Sequence, residues 1–205
     1  LNNAAEAEIE IENILHLGGE LENAGFVSLV SPNADLLVEQ KFTNTGELCS
    51  YGSKCEVFDV FDNTGIVKGF GRILSHQPIH NKGFVYAYQG NLVIQSYLSL
   101  TNTSTMANKP LATLHISSPE DVNNQGTIEV NAGGGVAFDC NLVNEPNAVI
   151  KLLGGTLAAK EITQKAGATF QGFGGITGNV VIEPNAVIKL TGPTNIIGDV
   201  TIGEG

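Results

Sequence analysis

Two histidines in the first half of the chain have a spacing that could do metal chemistry. His76 and His80 form an HxxxH pair, which on one face of a helix would place two imidazoles around one metal ion. Pro78 lies between them and would interrupt such a helix. A solvated loop is therefore the favoured interpretation, and we expect no bound metal.

Two aspartates nearby could supply carboxylate chemistry. Asp59 and Asp62 could act as acid and base on a glycosidic bond, or bind calcium together with further oxygen ligands. On a strand, residues three apart face opposite sides, so a turn just before Asn63 is the preferred interpretation. No GxSxG, HExxH, phosphate-binding loop or EF-hand loop is present. We expect no catalytic residues and no cofactor.

The chain has three cysteines. Cys49 and Cys55 flank a short polar segment and, in an oxidising compartment, could close a small disulfide ring. The alternative is a pair of free thiols, one inside the fold and one outside. Cys140 lies between Phe138 and Leu142 and is predicted to be a small buried hydrophobic residue.

The elements that must position these side chains are predicted by an internal repeat. The octamer EPNAVIKL occurs at 145–152 and again at 183–190, so the offset is 38, or two times 19. Ala148, Ile150 and Leu152 alternate with the residues between them, which is the period of a β-strand. The preceding Glu-Pro-Asn predicts a turn. Two coils of a β-solenoid have this length.

A weaker Asn-x-Gly pattern marks the rest of the chain. The pattern starts at Asn23, Asn44, Asn63, Asn81 and Asn124, with first steps of 21, 19 and 18 and a last step of 43, near two coils. Such residues suit corners with positive φ angles, and stacked asparagines could form a ladder. We predict an all-β, right-handed parallel β-helix of about 18–21 residues per coil over residues 1–205.

Residues 1–22 alternate apolar residues with Glu6, Glu8, Glu10 and Glu12, which favours an edge or capping strand with one acidic face. At the other end the repeat stops inside a coil with no polar cap. Since solenoids need caps to stay soluble, we expect this end to continue or to stack on another copy.

The net charge of the chain disfavours two classes of binding partner. Ten Lys plus Arg against 21 Asp plus Glu give a net charge of −11, and Arg72 is the only arginine. Clustered cations are needed to bind phosphates, so nucleic acid and anionic lipid are disfavoured. No apolar stretch is long enough to span a bilayer.

Aromatic residues concentrate in the first half and could contact sugars if exposed, although stacking inside the coil is preferred. They are Phe58, Phe61, Phe70, Phe84, Tyr86, Tyr88 and Tyr97.

The segment 123–205 resembles the β-helical passenger repeats of bacterial surface proteins, both autotransporter-like and filamentous-haemagglutinin-like. The stretches that carry the resemblance are NQGTIEV (124–130), GGTL (154–157) and ATFQGFG (168–174). It implies a secreted or surface-displayed β-helix with no catalytic residues. We therefore expect an extracellular structural or adhesive protein, which stacks end to end and contacts surface glycans. A polysaccharide lyase or glycoside hydrolase and a phage tailspike-like glycan-binding module are the alternatives.

Overall fold

The structure is a computed structural model that describes residues 1–204, and within them the regular structure is entirely β-strand. The strands pair in parallel and form a β-solenoid of about 10 turns. The strands are β1 (Asn2–Asn3), β2 (Glu8–Ile11), β3 (Ile14–Leu17), β4 (Leu21–Asn23), β5 (Phe26–Leu29), β6 (Asp35–Val38), β7 (Phe42–Asn44), β8 (Glu47–Val57), β9 (Phe61–Asn63), β10 (Ile66–Ser75), β11 (Ile79–Asn81), β12 (Phe84–Ser96), β13 (Leu100–Asn102), β14 (Thr105–Asn108), β15 (Thr113–Ser117), β16 (Val122–Asn124), β17 (Thr127–Asn131), β18 (Gly135–Phe138), β19 (Leu142–Asn144), β20 (Val149–Gln164), β21 (Thr169–Ile182), β22 (Val187–Ile197) and β23 (Val200–Ile202).

Each coil contributes strand segments to three columns, in which every segment lies on its equivalent in the next coil. The first column contains the short strands that end in asparagine, such as β4, β7 and β9. The second follows the Asn-x-Gly corner and begins with β2, β5 and the first half of β8. The third begins with β3, β6 and the second half of β8. The predicted coil stack is therefore confirmed.

The core runs along the axis of the stack, because alternate residues of each strand point inward. Phe42 and Phe61 are fully buried on successive coils of the first column, with ring centroids 5.0 Å apart. Cys55 and Cys140 belong to the same apolar cluster, which confirms the burial predicted for Cys140. In-register stacking thus gives the inward apolar side chains apolar neighbours above and below.

A ladder of side-chain amides runs through the first column. Eight hydrogen bonds of 2.7–2.9 Å join one amide to the next. Its members are Asn3, Asn23, Asn44, Asn63, Asn81, Asn102, Asn124, Asn144 and Gln164. All are buried, so an unpaired amide here would be costly, and each link removes that cost. The predicted asparagine ladder is therefore confirmed.

The ladder ends at Gln164. The equivalent residues of the next two coils are Ile182 and Ile202, which offer no acceptor. The Nε2 of Gln164 is accordingly the one buried side-chain nitrogen or oxygen within residues 1–204 that lacks a hydrogen-bond partner. The last two coils depend on apolar packing where the earlier coils use amides.

The glycines of the Asn-x-Gly corners have a different role from the one predicted. Their φ angles are not positive. A Cβ on Gly46 would lie 2.0 Å from the carbonyl oxygen of Gly25, and a Cβ on Gly65 would lie equally close to that of Gly46. Close stacking of backbone on backbone, and not left-handed geometry, therefore requires glycine at this corner.

Left-handed residues do occur in the Glu-Pro-Asn turn at the start of each octamer, as predicted. Asn147 and Asn185 have φ angles of 69° and 66°, and Gly167 occupies the same place in the coil between them with a φ of 79°. The two octamers lie two coils apart, with Thr169 between Val149 and Val187. The inferred offset of two coils is thus confirmed.

The repeated glycine after each octamer packs on a single phenylalanine. A Cβ on Gly154 would lie 3.2 Å from the ring of Phe173, and a Cβ on Gly192 would lie 3.1 Å from its side chain. Phe173 belongs to the intervening coil, so the two glycines make room for it from both sides. Phe70 is held in the same way between Gly52 and Gly90.

The N-terminal segment forms the first coil. Residues Glu8–Ile11 are a strand, with Glu8 and Glu10 exposed and Ile11 buried, as the alternation predicts. β1, β2 and β3 each pair only with the following coil, so they form an edge of the stack within the described residues.

We expect Asn63→Ala to lower the free energy of unfolding by about 2–4 kcal/mol. The substitution takes the acceptor from Asn44 Nδ2 and the donor from Asn81 Oδ1, in the middle of the buried ladder. Chemical denaturation followed by circular dichroism measures the change. Asn91→Ala, on the exposed outer wall, is the matched control and should cost under about 0.5 kcal/mol. Equal effects of the two substitutions would contradict a stabilising ladder.

Candidate functional site

The outer wall places His76 and His80 in two separate clusters. His76 follows the third column, and its Nε2 lies 2.8 Å from Glu56 Oε1. His80 lies in the first column, and its Nδ1 lies 2.8 Å from Asp62 Oδ1. The HxxxH spacing therefore does not build a common site. Within residues 1–204, no group of three or more His, Cys, Asp or Glu side chains is arranged to hold a metal ion.

Both carboxylates are also paired with lysines of the same or the preceding coil. Lys41 Nζ lies 2.6 Å from Asp62 Oδ2, and Lys54 Nζ lies 2.7 Å from Glu56 Oε2. These clusters are not apparent from the sequence. Most of their members are about one coil apart along the chain, and they meet only when the strands stack in register. The predicted length of one coil was the one signal that could have paired them.

Electrostatics in these clusters favour ionised carboxylates. Hydrogen bonds from His76 and Lys54 hold the pKa of Glu56 below its ordinary value. Partial burial raises the pKa of Asp62, but the hydrogen bonds from Lys41 and His80 outweigh it and leave that pKa lowered. A general acid of a glycosidase needs the opposite, a raised pKa. The clusters are suited to joining coils on the surface.

Asp59 and Asp62 do not act as a pair. Asp59 is exposed in the turn between the third and first columns, where its carboxylate accepts the Val60 N–H at 2.8 Å. Asp62 lies on β9 and binds Lys41 and His80. The turn predicted for one of the two aspartates is present at Asp59.

No bond joins the thiols of Cys49 and Cys55 in this structure, and a bend at Gly52 separates the two residues. Cys55 points into the core, whereas Cys49 lies on the outer side of the wall, with its Sγ 3.2 Å from Glu47 Oε1. Burial raises the pKa of each thiol to about 12, and Glu47 adds to the effect at Cys49. This arrangement corresponds to the alternative of one thiol inside and one outside, and the disulfide stays a prediction.

Six of the seven aromatic residues lie on the outer wall, and only Phe61 is buried in the core. The prediction that these rings stack inside the coil is therefore wrong for the other six. Outward positions on these coils are adjacent across the stack, so the rings pack on one another outside. Phe58 stacks on His76 with centroids 4.7 Å apart and planes 5° from parallel, and His76 contacts Tyr97 at 5.0 Å.

A pocket of about 270 Å³ opens on the outer side of the second column. Tyr51, Tyr86 and Tyr88 line it together with Lys68 and Lys109. Lys68 forms an ion pair with Glu47, and the Nζ of Lys109 lies 5.0 Å from the centroid of the Tyr86 ring. The pocket therefore combines aromatic faces with a set of hydrogen-bond donors.

The last coil leaves an apolar surface at the end of the stack. Leu190 is 52% exposed and Ile202 is 70% exposed, although both occupy inward-facing positions. Phe170, which lies one coil earlier beneath Ile188, is 2% exposed. All the residues that line this end are apolar: Phe170, Ile176, Val180, Ile182, Ile188, Leu190, Ile196 and Val200.

We expect the unfolding temperature to fall as the pH drops below about 4. Because the pKa values of Glu56 and Asp62 are lowered in the folded state, their stabilisation is present above the unfolded values and is lost as the pH falls through the folded ones. Thermal unfolding between pH 7 and pH 3 measures this loss. Asp62→Asn should flatten the profile, whereas Asp121→Asn, at an exposed surface position, should leave its shape unchanged. Identical pH profiles for the wild-type protein and Asp62→Asn would contradict a contribution of Asp62 to stability.

Thiol titration tests the state of the cysteines. We expect the native protein to react slowly at pH 8, since burial raises the pKa values of Cys49 and Cys55. In denaturant without reductant, a protein with the three free cysteines should give three reactive thiols per chain. One thiol per chain would instead show that one disulfide is present, as predicted for Cys49 and Cys55.

Comparisons with known proteins add no family to these observations. No family model, curated protein or solved structure matches the chain. Residues 1–204 contain no helix with the length and hydrophobicity to cross a membrane. The fold assignment thus depends on the parallel coil stack itself.

Proposed function

We propose that the protein is an extracellular structural shaft, a β-solenoid that lengthens by stacking end to end and is displayed on a cell surface. The observation that carries this proposal is the apolar last coil of the described residues, with Leu190 and Ile202 exposed at inward-facing positions, which a further coil of the chain or another copy would cover. The segment 123–205 resembles the β-helical passenger repeats of bacterial surface proteins, which supports the proposed location.

The first coil of a second copy is the proposed cover for this end. It offers Ile9 and Leu15, which are half-buried, in the two columns where Ile188 and Ile196 lie on the last coil. Strand edges at both ends would also pair through their backbone groups. In the first column Ile202 would face Asn3, so the amide ladder would not continue across the junction.

Contacts between the last coil of one copy and the first coil of the next would produce fibres. The two surfaces differ, so the interface is heterologous, and a heterologous interface that does not close generates an open filament. About 10 coils at roughly 4.8 Å each give a repeat of about 45–50 Å per copy along the filament. The function of each copy is then to add rigid length.

A polysaccharide-acting enzyme is the main alternative, and a tailspike-like module is another. The lowered pKa values of Glu56 and Asp62 favour the non-catalytic proposal over a hydrolase. Six of the exposed large apolar residues lie in the last coil, which favours an end contact over a side-by-side trimer: Val187, Ile188, Leu190, Ile197, Val200 and Ile202. Incubation with polyuronates and a reducing-end assay would discriminate the enzyme, and immunogold labelling of intact source cells tests the location.

We expect the protein to associate with rising concentration and to form rods of regular repeat in negative-stain electron microscopy. Leu190→Glu should abolish this association, because it places a carboxylate in the apolar end. Leu153→Glu is the matched control: Leu153 is 42% exposed on the side wall, and its substitution should leave association unchanged.

Sedimentation velocity of the three proteins measures the effect. A wild-type chain that stays monomeric at the highest concentration would contradict end-to-end stacking. Loss of association in Leu153→Glu to the same extent would show a lateral contact instead.

A further inference from the structure

The pocket on the outer side of the second column has a composition that points to a ligand. We propose that it binds an acidic oligosaccharide, with one sugar ring against Tyr88 and a carboxylate on the ammonium of Lys109. This inference goes beyond the proposed shaft, since it assigns a ligand class to the side wall and does not depend on stacking at the ends.

The charge of the pocket selects the ligand. Within residues 1–204, four of the lysines form ion pairs: Lys41, Lys54, Lys68 and Lys165. Lys109 is exposed and has no carboxylate within salt-bridge distance in the described part of the chain. Its Nζ rests over the Tyr86 ring instead, which keeps the ammonium at the mouth of the pocket. An anion is the partner that this cation lacks.

The remaining groups of the pocket favour an anion that carries a hydroxylated ring over other anions. The phenol groups of Tyr51, Tyr86 and Tyr88 can each donate and accept a hydrogen bond, as sugar hydroxyls require. A phenol is protonated at neutral pH, and burial raises the pKa of Tyr86 and of Tyr51 further, so both are hydrogen-bond donors. Tyr88 is 43% exposed, so its ring offers an apolar face to the ligand.

The size of the pocket agrees with a small, ring-shaped ligand. A volume of about 270 Å³ lies just below the usual range for ligand sites, and it suits one sugar unit with its neighbours outside. The net charge of −11 of the whole chain disfavours a polyphosphate chain such as nucleic acid. A short acidic saccharide that contacts only the pocket avoids most of this repulsion.

Isothermal titration calorimetry with trigalacturonate tests the proposal, and the fully methyl-esterified trisaccharide is the uncharged control. We expect measurable binding of the acid and at least tenfold weaker binding of the ester. Lys109→Gln and Tyr88→Ala should each weaken the binding of the acid at least tenfold. Lys82→Gln removes the same charge from an exposed corner elsewhere on the stack and should leave the affinity unchanged.

Several results would overturn the proposal: no binding of trigalacturonate, equal binding of the ester, or an equal loss in Lys82→Gln. Tight binding of triglutamate would assign the pocket to acidic peptides and also overturn it. The titrations are repeated on Leu190→Glu, in which we expect binding to persist. Failure of stacking and failure of saccharide binding are thereby measured separately.

Discussion

In-register stacking of parallel coils is the constraint on which the whole structure depends. Each residue lies between the equivalent residues of the coils above and below. Its side chain must therefore pack against both of them or form hydrogen bonds with both. The buried amide ladder is the strictest example, because an amide in the core needs an acceptor on one side and a donor on the other. Gly46 obeys the same constraint sterically, since its neighbours in the stack are backbone atoms.

The same constraint explains why the first column changes from hydrogen-bonded amides to apolar side chains along the stack. Where the ladder stops at Gln164, the same column continues with Ile182 and Ile202. The last coils depend on hydrophobic contact, which is non-directional and can be supplied by any apolar cover. A further apolar coil can cover such a surface, whereas a surface of unpaired amides would require a cover with matched hydrogen bonds.

Chemistry on the outer wall arises between coils. Asp62 gains Lys41 and His80 from the neighbouring coils, and Lys109 meets Tyr86 in the same manner. Such groups are about one coil apart in sequence and about one strand spacing apart in space. The sequence could supply the coil length but not the register of each corner, because the step from one ladder amide to the next varies between 18 and 22. The two carboxylate clusters and the tyrosine–lysine pocket could therefore not be read from spacing alone.

By itself the sequence determined the kind of fold. The duplicated octamer, the Asn-x-Gly steps and the two-residue alternation depend on local geometry, which is fixed by neighbouring residues. It also indicated an amide ladder at the corner asparagines Asn23, Asn44, Asn63, Asn81 and Asn124, and it predicted the acidic first strand. Tertiary structure alone decided which aromatic rings point outward, why the corner glycines are required, and that Lys109 lies over the Tyr86 ring without a carboxylate partner. These depend on contacts across the stack, and only the three-dimensional register brings those atoms together.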